Sequence, residues 1–382
     1  MPLLSEQEAR ELLGRVLALS HADDCQAILD GDATGNIRYA RNTVTTAGKS
    51  ENMTVRVQSN YGHRSGTATA NEFDDESLEQ VVRRSEDLAR LAPEDKEFVA
   101  PLGPQEFLTS HTWNDATAAI SADDRAEAAA GSMERSAARD CVAAGFLNDA
   151  AGFTAMANTN GLFAYNPHTT VNFSLTARTA DAQGSGYVRR DLNDVTKLDT
   201  DAASDIAIEK AVASHDARAI DPGRYTVILE PEASVGLIEN MMRNLSARRA
   251  DEGRSFMARP GGGTRVGEQL LDERISITSD PSNPEAPASP WLDDGRPRER
   301  TVWIEGGVVK QLGYSRFWAQ QQGVHALPAP LVRARGATRG NFIMAGGDAS
   351  LEDLIRDTRR GVLVTRTWYI RTVDPGHCST RA

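Results

Sequence analysis

Residues 38–70 read RYARNTVTTAGKSENMTVRVQSNYGHRSGTATA, and this stretch decides the class of fold. Val55 and Val57 alternate with polar residues there, a period of two that is typical of a strand with one buried face and one solvated face. Gly48 and Gly62 interrupt the alternation. The stretch therefore predicts antiparallel strands joined by tight turns.

Helical patterns lie on both sides of this stretch. Ser5 and Glu8 form a capping box in front of apolar residues spaced for one helix face. Residues 78–89 carry apolar side chains at helical spacing again. A further alanine-rich helix, capped at Ser121, is predicted to run to about Arg139. The strands are therefore expected to pack against several amphipathic helices.

The second half of the sequence mixes short strands with helices. Asn160-Gly161 predicts a hairpin, because both residues tolerate positive φ. A strand is predicted at 225–229, and the helix after Pro231 is predicted to continue to about Ala250. The other predicted elements are a helix at 201–215, strands at 275–278, 301–304 and 308–312, a helix from Ser350, and a last strand at 362–373.

Helices, strands and hairpins are mixed without strict alternation, so the sequence predicts an α+β fold. We expect an N-terminal part in which a sheet packs with helices, followed by a C-terminal, mainly antiparallel β part with packed helices. Prolines between residues 93 and 104 mark a linker. The predicted regions are 1–105, 106–220 and 221–382, the last of them incomplete at its end.

The charge balance excludes several classes of protein. The 382 residues include 54 acidic and 42 basic side chains, a formal net charge of −12. This charge repels phosphates and no basic recognition motif is recognisable, so neither nucleic acid nor a membrane is an expected partner. No stretch approaches the roughly 18 to 20 apolar residues that span a bilayer. The three cysteines are far apart, which favours a reducing, cytoplasmic location.

The sequence lacks the local motifs of hydrolytic enzymes. A zinc peptidase commonly places two histidines and a glutamate on one helix, whereas the closest two histidines, His21 and His63, are 42 residues apart. No G-x-S-x-G nucleophile motif occurs. A self-sufficient hydrolase with a dispersed site stays open as an alternative, and its candidate residues are His325, Asp293 and Asp294.

A series of ordered patches carries a family resemblance. After the stretch quoted first come MANTNGLFAY, GRYTVILEPEASVGLIENM, GTRVGEQLLDERISITSDP, DDGRPRERTVWIEGGVVKQLGYSRFWAQQQG and GNFIMAGGDASLEDLIRDTRRGVLVTRTWYIR. In this order and spacing the patches resemble the TldD/PmbA family. Its members were once called modulators of DNA gyrase and are now regarded as cytosolic zinc-dependent peptidases and their partner subunits. The resemblance covers most of the chain from Arg38 to Arg371.

The resemblance implies an α+β subunit that dimerises around an inner chamber, where a metal-bearing subunit cuts unfolded or leader peptides. In metal-bearing members the helix after the GRYTVIL-like strand carries H-E-x-x-x-H. Here the matching residues 239–244 read ENMMRN. Neither ligand position holds an imidazole, and Asn240 replaces the water-activating glutamate. The degenerate metal-helix positions are Glu239, Asn240, Arg243 and Asn244, and an asparagine is no general base at neutral pH.

We therefore predict a non-catalytic partner subunit, in a homo- or heterodimer with a TldD-like subunit, that acts with it on a peptide substrate. No catalytic or metal-ligating residue is predicted in this chain, and zinc is expected only in the metal-bearing partner. The sequence ends in GHCSTRA where family members continue, so a truncation or frameshift with an exposed sheet edge is expected. Cys378 is not taken as a metal ligand. An inert truncated family member is the remaining alternative.

Overall fold

The computed structural model describes residues 3–328, 340–374 and 379–381, so Cys378 lies outside the described residues. The first half is built on one six-stranded sheet with the strand order β3-β2-β1-β4-β5-β6, and every neighbouring pair in it is antiparallel. The strands are β1 (Asp24–Ala40), β2 (Thr43–Tyr61), β3 (Arg64–Ala70), β4 (Cys141–Asn158), β5 (Phe163–Thr179) and β6 (Ser185–Leu192).

Tight turns connect these strands. The predicted turn at Gly62 joins β2 to β3 with a φ of 56°, whereas Gly48 lies within β2, so the interruption predicted there is wrong. Arg41 and Asn42 join β1 to β2, and both have a φ of 53°. Between β4 and β5, Gly161 has a φ of 86°, a left-handed conformation that a glycine adopts without strain. The hairpin predicted at Asn160-Gly161 is therefore confirmed.

Five helices accompany the six-stranded sheet: α1 (Glu6–Ala18), α2 (Asp75–Leu91), α3 (Asp115–Ala118), α4 (Ala122–Ala137) and α5 (Thr200–Ala213). The capping boxes at Ser5 and Ser121 are both present. Helices α1 and α2 pack on Leu29 and Val57, whereas α4 and α5 pack on Phe173 and Leu175. In the register of the sheet, Leu29 lies opposite Val55, and Phe173 lies opposite Leu147, which pairs with Ile37 of the same strand as Leu29. Because side chains alternate between faces along a strand, the four helices cover one face of the sheet.

One buried ion pair ties α4 to this sheet. Arg125 of α4 donates from Nε and Nη2 to the two carboxylate oxygens of Asp149 in β4, at 2.6 and 3.0 Å. Both side chains are less than a tenth exposed. The bidentate geometry fixes the helix against the strand and satisfies two charges that would otherwise be costly to bury.

The second half consists of much shorter elements. Its strands are β7 (Thr226–Leu229), β8 (Ile277–Ser279), β9 (Thr301–Glu305), β10 (Val308–Val309), β11 (Ile343–Met344), β12 (Gly361–Val364), β13 (Arg371–Asp374) and β14 (Ser379–Arg381). They form a four-stranded sheet in the order β10-β9-β8-β11, a parallel pair β12-β7 and an antiparallel pair β13-β14. The helices are α6 (Pro231–Met242), α7 (Ala247–Asp251), α8 (Arg316–Gln322) and α9 (Leu351–Asp357).

A separate core holds this half together, with Trp303 as its largest fully buried side chain. The second half also covers the helix-free face of the first sheet, because Trp291 packs on Ile28 and Met156. The mixture of an antiparallel sheet covered by helices and short antiparallel strands confirms the predicted α+β class. The division into regions 1–105, 106–220 and 221–382 stays a prediction.

Three predicted elements are wrong in their extent. The strand predicted at 308–312 ends at Val309. The last strand, predicted at 362–373, is two strands separated by Tyr369, whose φ is 54°. The helix predicted from Pro231 to about Ala250 ends at Met242, and α7 starts only at Ala247. Helix α8 was not predicted. The break after Met242 falls within the degenerate metal-helix positions and shapes the site described next.

Candidate functional site

The candidate site is built on the unit formed by β7, α6 and the turn between them. Pro231 opens α6, where its missing N–H costs no helical hydrogen bond. The backbone N–H of Glu230 donates to Val364 O of β12 at 3.1 Å, and its carboxylate pairs with Lys210 of α5. The turn is therefore held by both halves of the molecule.

The chain leaves the helix because its next backbone groups bond to a distant segment. Leu245 O accepts from the N–H of Gly313, and Gly313 O accepts from the N–H of Ala247, each at 2.9 Å. Inside the break, Asn244 Nδ2 donates to the backbone oxygen of Asn240 at 2.9 Å. Asn244 is therefore held at the end of α6, where only 7% of it is exposed.

The four degenerate metal-helix positions divide into two pairs. Glu239 and Arg243 form an ion pair one helical turn apart, with side chains 33% and 47% exposed. Asn240 and Asn244 instead line a groove. The structure thus brings the two carboxamides to one surface and leaves the two charged side chains paired with each other.

This groove, called the α6 groove below, has a volume of about 500 Å³. Its walls come from β7, α6, the segment before β8, and β11. The residues that line it are Val227, Leu229, Ser234, Leu237, Ile238, Asn240, Met241, Asn244, Leu271, Ile275, Ile277 and Met344. None of these side chains is titratable, so the α6 groove offers apolar walls, two carboxamides and a hydroxyl.

The side chains at these positions do not fit a zinc ion. A peptidase zinc needs histidine, cysteine or carboxylate ligands together with an open position for water. The Glu239 carboxylate is taken by Arg243, and the other two positions carry neutral amides. Among the described residues, no group of three or more histidine, cysteine, aspartate or glutamate side chains could hold a metal ion. This helix therefore offers no set of ligands that could hold a hydrolytic zinc ion.

The residues proposed for a dispersed hydrolase site do not form a catalytic set. His325 is 70% exposed and its Nε2 lies 2.8 Å from a carboxylate oxygen of Glu299. Asp294 accepts from Arg296 Nε at 2.8 Å. Asp293 faces Arg56 at 3.8 Å. His325 is hydrogen-bonded to Glu299 and to neither aspartate.

Sequence reasoning missed most of the walls of the α6 groove. Leu271, Ile275 and Met344 come from segments 30 to 100 residues away from α6 along the chain. The local signal that could have indicated this wall is the apolar side of β7, a strand that the sequence predicts without assigning its faces. In the structure Val227 is 52% exposed and Leu229 is 39% exposed, so this side of the strand faces the open groove.

Comparison with known protein families agrees with this arrangement of elements. Three family models match in order: the PmbA/TldA metallopeptidase domain 1 over residues 32–89, its central domain over 115–214 and its C-terminal domain over 222–381. The chain belongs to the PmbA/TldD metallopeptidase family. The third model includes β7, α6 and the whole α6 groove, so the candidate site lies within the family's C-terminal domain.

Solved structures share the fold of this PmbA/TldD-family chain. TldE from Thermococcus kodakarensis superposes with a TM-score of 0.80 at 19% identity, covering 95% of this chain and 82% of that protein. A candidate modulator of a DNA gyrase from Thermotoga maritima gives a TM-score of 0.81 at 20% identity and covers 95% and 83%. At such identities the likeness establishes the fold and not the activity.

Two archaeal relatives carry the name metalloprotease. The one from Methanothermobacter thermautotrophicus is 28% identical over 182 residues, which is 45% of this chain and 36% of the relative. The one from Archaeoglobus fulgidus is 30% identical over 105 residues, which is 26% of this chain and 24% of the relative. The matched part therefore spans well under half of either metalloprotease. No helix among the described residues has both the length and the apolarity to cross a membrane.

Proposed function

We propose that this chain is the non-catalytic partner subunit of a cytoplasmic zinc-dependent peptidase, and that its α6 groove holds part of an unfolded or leader peptide. One observation carries the proposal. At the positions that the family resemblance aligns with the metal motif of active members, Asn240 of α6 and Asn244 just after it line a groove with no titratable lining residue. Such a surface can hold a peptide but cannot activate water.

The chemistry of the α6 groove favours a peptide over other ligands. A phosphate or a free carboxylate would require a cationic group, and no lining residue is cationic. A carboxamide both donates and accepts hydrogen bonds, and so matches the amide groups of a peptide. Strand β7 pairs only with β12 among the described strands, so its other edge can pair with an extended chain.

The assembly is the second part of the proposal. The fold is that of a protein named TldE, and the metal that this chain does not fit would come from a TldD-like subunit in a heterodimer, or the chain pairs with itself in a homodimer. A cytoplasmic location is consistent with Cys25 and Cys141, which are buried free thiols. The identity of the peptide is left to experiment.

The proposal is tested by peptide binding to the purified chain. A fluorescein-labelled peptide of alternating leucine and serine serves as the probe, because it is uncharged and presents apolar side chains on one side. Leu237→Asp puts a charge in the α6 groove and should weaken binding at least tenfold. Val235→Asp adds the same charge on the same helix at a site that is 48% exposed and does not line the groove, and it should bind like the wild type.

Three outcomes contradict the proposal. Equal binding by Leu237→Asp and the wild type would show that the peptide does not use the α6 groove. Cleavage by the chain alone, lost on treatment with a chelator or in His325→Gln, would support the self-sufficient peptidase. If the chain binds no peptide and does not change cleavage by a metal-bearing family member, the result would support an inert family member.

A further inference from the structure

A second surface, outside the α6 groove, combines arginines with exposed aromatic rings. The guanidinium of Arg366 lies 3.6 Å from the ring centre of Tyr187 and 4.4 Å from that of Trp368. The ring of Trp368 meets that of Tyr369 edge-on, with centres 5.6 Å apart, and Arg371 lies 5.4 Å from the ring of Tyr369. These five residues form a continuous row, called the arginine-aromatic strip below.

Trp368, Tyr369 and Arg371 of the strip are exposed, whereas Tyr187 and Arg366 are half-buried. Trp368 is 61% exposed and Tyr369 is 68% exposed, among the highest values for large hydrophobic side chains in the described part of the chain. Among the described residues, no ion pair joins Arg366 or Arg371 to a carboxylate, although the chain has a net charge of −12. Many other arginines, such as Arg274 with Asp272, are paired within the chain.

The backbone presents these side chains at a cost. Tyr369 has a φ of 54°, a strained left-handed conformation that a non-glycine residue rarely adopts. The residues between the exposed ones are fastened to α6. Thr367 Oγ1 donates to Ala233 O at 3.2 Å, and Ile370 lies against Gly236, where an added Cβ would approach its Cδ1 to 2.7 Å.

The strip and the α6 groove use different residues of the same helix. The segment carrying the strip contacts α6 at Ala233 and Gly236, whereas the groove is lined by Ser234, Leu237 and Ile238. A ligand on the strip would therefore not occupy the groove. The two surfaces can be tested independently by substitution.

We propose that the arginine-aromatic strip is a docking surface for an acidic segment of an extended peptide. Tryptophan, tyrosine and arginine are the residues that contribute most of the energy at protein interfaces. A guanidinium without an internal carboxylate can donate two parallel hydrogen bonds to a glutamate or aspartate of the ligand. The stacked rings keep each guanidinium in place, so less side-chain freedom is lost when the ligand binds.

The charges around the strip favour a peptide over a nucleic acid. At one end of the row, Glu232 and the ion pair between Asp191 and Arg189 lie near Tyr187, so the strip is not a continuous basic track. A polyphosphate backbone needs such a track, and it is also repelled by the net negative charge of the chain. Separate carboxylates spaced along a peptide can meet the two arginines without meeting these acids.

This inference goes beyond the proposed function and rests on it only in that the ligand is a peptide. Fluorescence anisotropy with the full chain tests it, using a labelled peptide of alternating glutamate and alanine, its lysine counterpart and a labelled oligothymidine. The wild type should bind the glutamate peptide, and less tightly as salt rises. The double variant R366E/R371E should bind at least tenfold more weakly, and W368A several-fold more weakly.

The controls separate a docking role from a structural one. R274E reverses an arginine that is 84% exposed and already paired, and it should bind like the wild type. Leu237→Asp should keep the wild-type affinity for the glutamate peptide, whether or not it weakens binding of the leucine-serine peptide to the α6 groove. Equal affinity of R366E/R371E and R274E overturns the inference. Tighter binding of oligothymidine than of the glutamate peptide also overturns it. So does self-association of the wild type, if R366E/R371E abolishes it without changing peptide binding.

Discussion

The two halves of the molecule differ in how their strands are stabilised. In the first half β1 pairs along almost its whole length of 17 residues with both β2 and β4, and four helices cover one face of the sheet. In the second half β7 has four residues and β8 has three. Short strands leave apolar surface uncovered. The α6 groove lies there, and so does the arginine-aromatic strip apart from Tyr187, which belongs to β6 of the first half. The long sheet supplies a frame, and the irregular half presents the binding surfaces.

The largest expected effect concerns the ion pair between α4 and β4. Asp149→Ala leaves the buried guanidinium of Arg125 without its two carboxylate bonds, so we expect the free energy of unfolding to fall by about 3 to 5 kcal/mol. Urea denaturation followed by circular dichroism measures this. The double variant R125M/D149L removes both charges and should recover most of the loss. If Asp149→Ala lowers the free energy of unfolding by less than about 1 kcal/mol, this ion pair does not hold α4 to the sheet as described.

The contrast between the halves also explains which predictions from sequence were right. The helices begin where a serine and an acidic residue three positions later cap the chain, as at Ser5, Ser121 and Ser350, and this chemistry is local. The strands of residues 38–70 follow from alternation, which is also local. The break of α6 depends on Gly313, about 70 residues away, so no local pattern could predict it.

The candidate site was predicted only in part, for the same reason. The family resemblance singled out Glu239, Asn240, Arg243 and Asn244, and two of them line the α6 groove. The opposite wall comes from residues around Ile275 and from Met344, which tertiary packing alone brings close. The role of the four residues as degenerate metal positions stays a prediction.

The pH dependence of the free energy of unfolding further tests how the first half of the molecule is stabilised. Burial lowers the pKa of His168 to about 4, whereas an unfolded histidine titrates near 6.5. Below pH 6.5 the unfolded chain therefore binds a proton that the folded chain does not, so stability falls as the pH is lowered from about 6.5 to 4.5. We expect His168 to account for about 2 to 3 kcal/mol of this fall, and His168→Gln should remove that share in urea denaturation.

His215 supplies a control of opposite sign. Its hydrogen bond to Asp181, and a further one to Asp216, raise its pKa. Its contribution to stability is therefore present at acid pH and is lost as the pH rises through the raised value. His215→Gln should make the acid-side loss of stability slightly steeper, whereas His168→Gln makes it flatter. If both variants change the slope in the same direction, the account of the buried histidine is wrong.

The smallest expected effect lies in the second half. Glu239 pairs with Arg243 at an exposed position, and such surface pairs contribute little. Glu239→Gln should change the free energy of unfolding by less than about 1 kcal/mol and leave peptide binding to the α6 groove unaltered. A tenfold loss of peptide binding would show that Glu239 takes part in the site.

The most direct test of the central claim is the zinc content of the purified chain, measured by mass spectrometry after dialysis against zinc and then against metal-free buffer, together with its cleavage of an unfolded peptide. We predict far less than one zinc per chain and no cleavage above background until a metal-bearing family member is added. One tightly bound zinc per chain, with cleavage by the chain alone, would contradict the account.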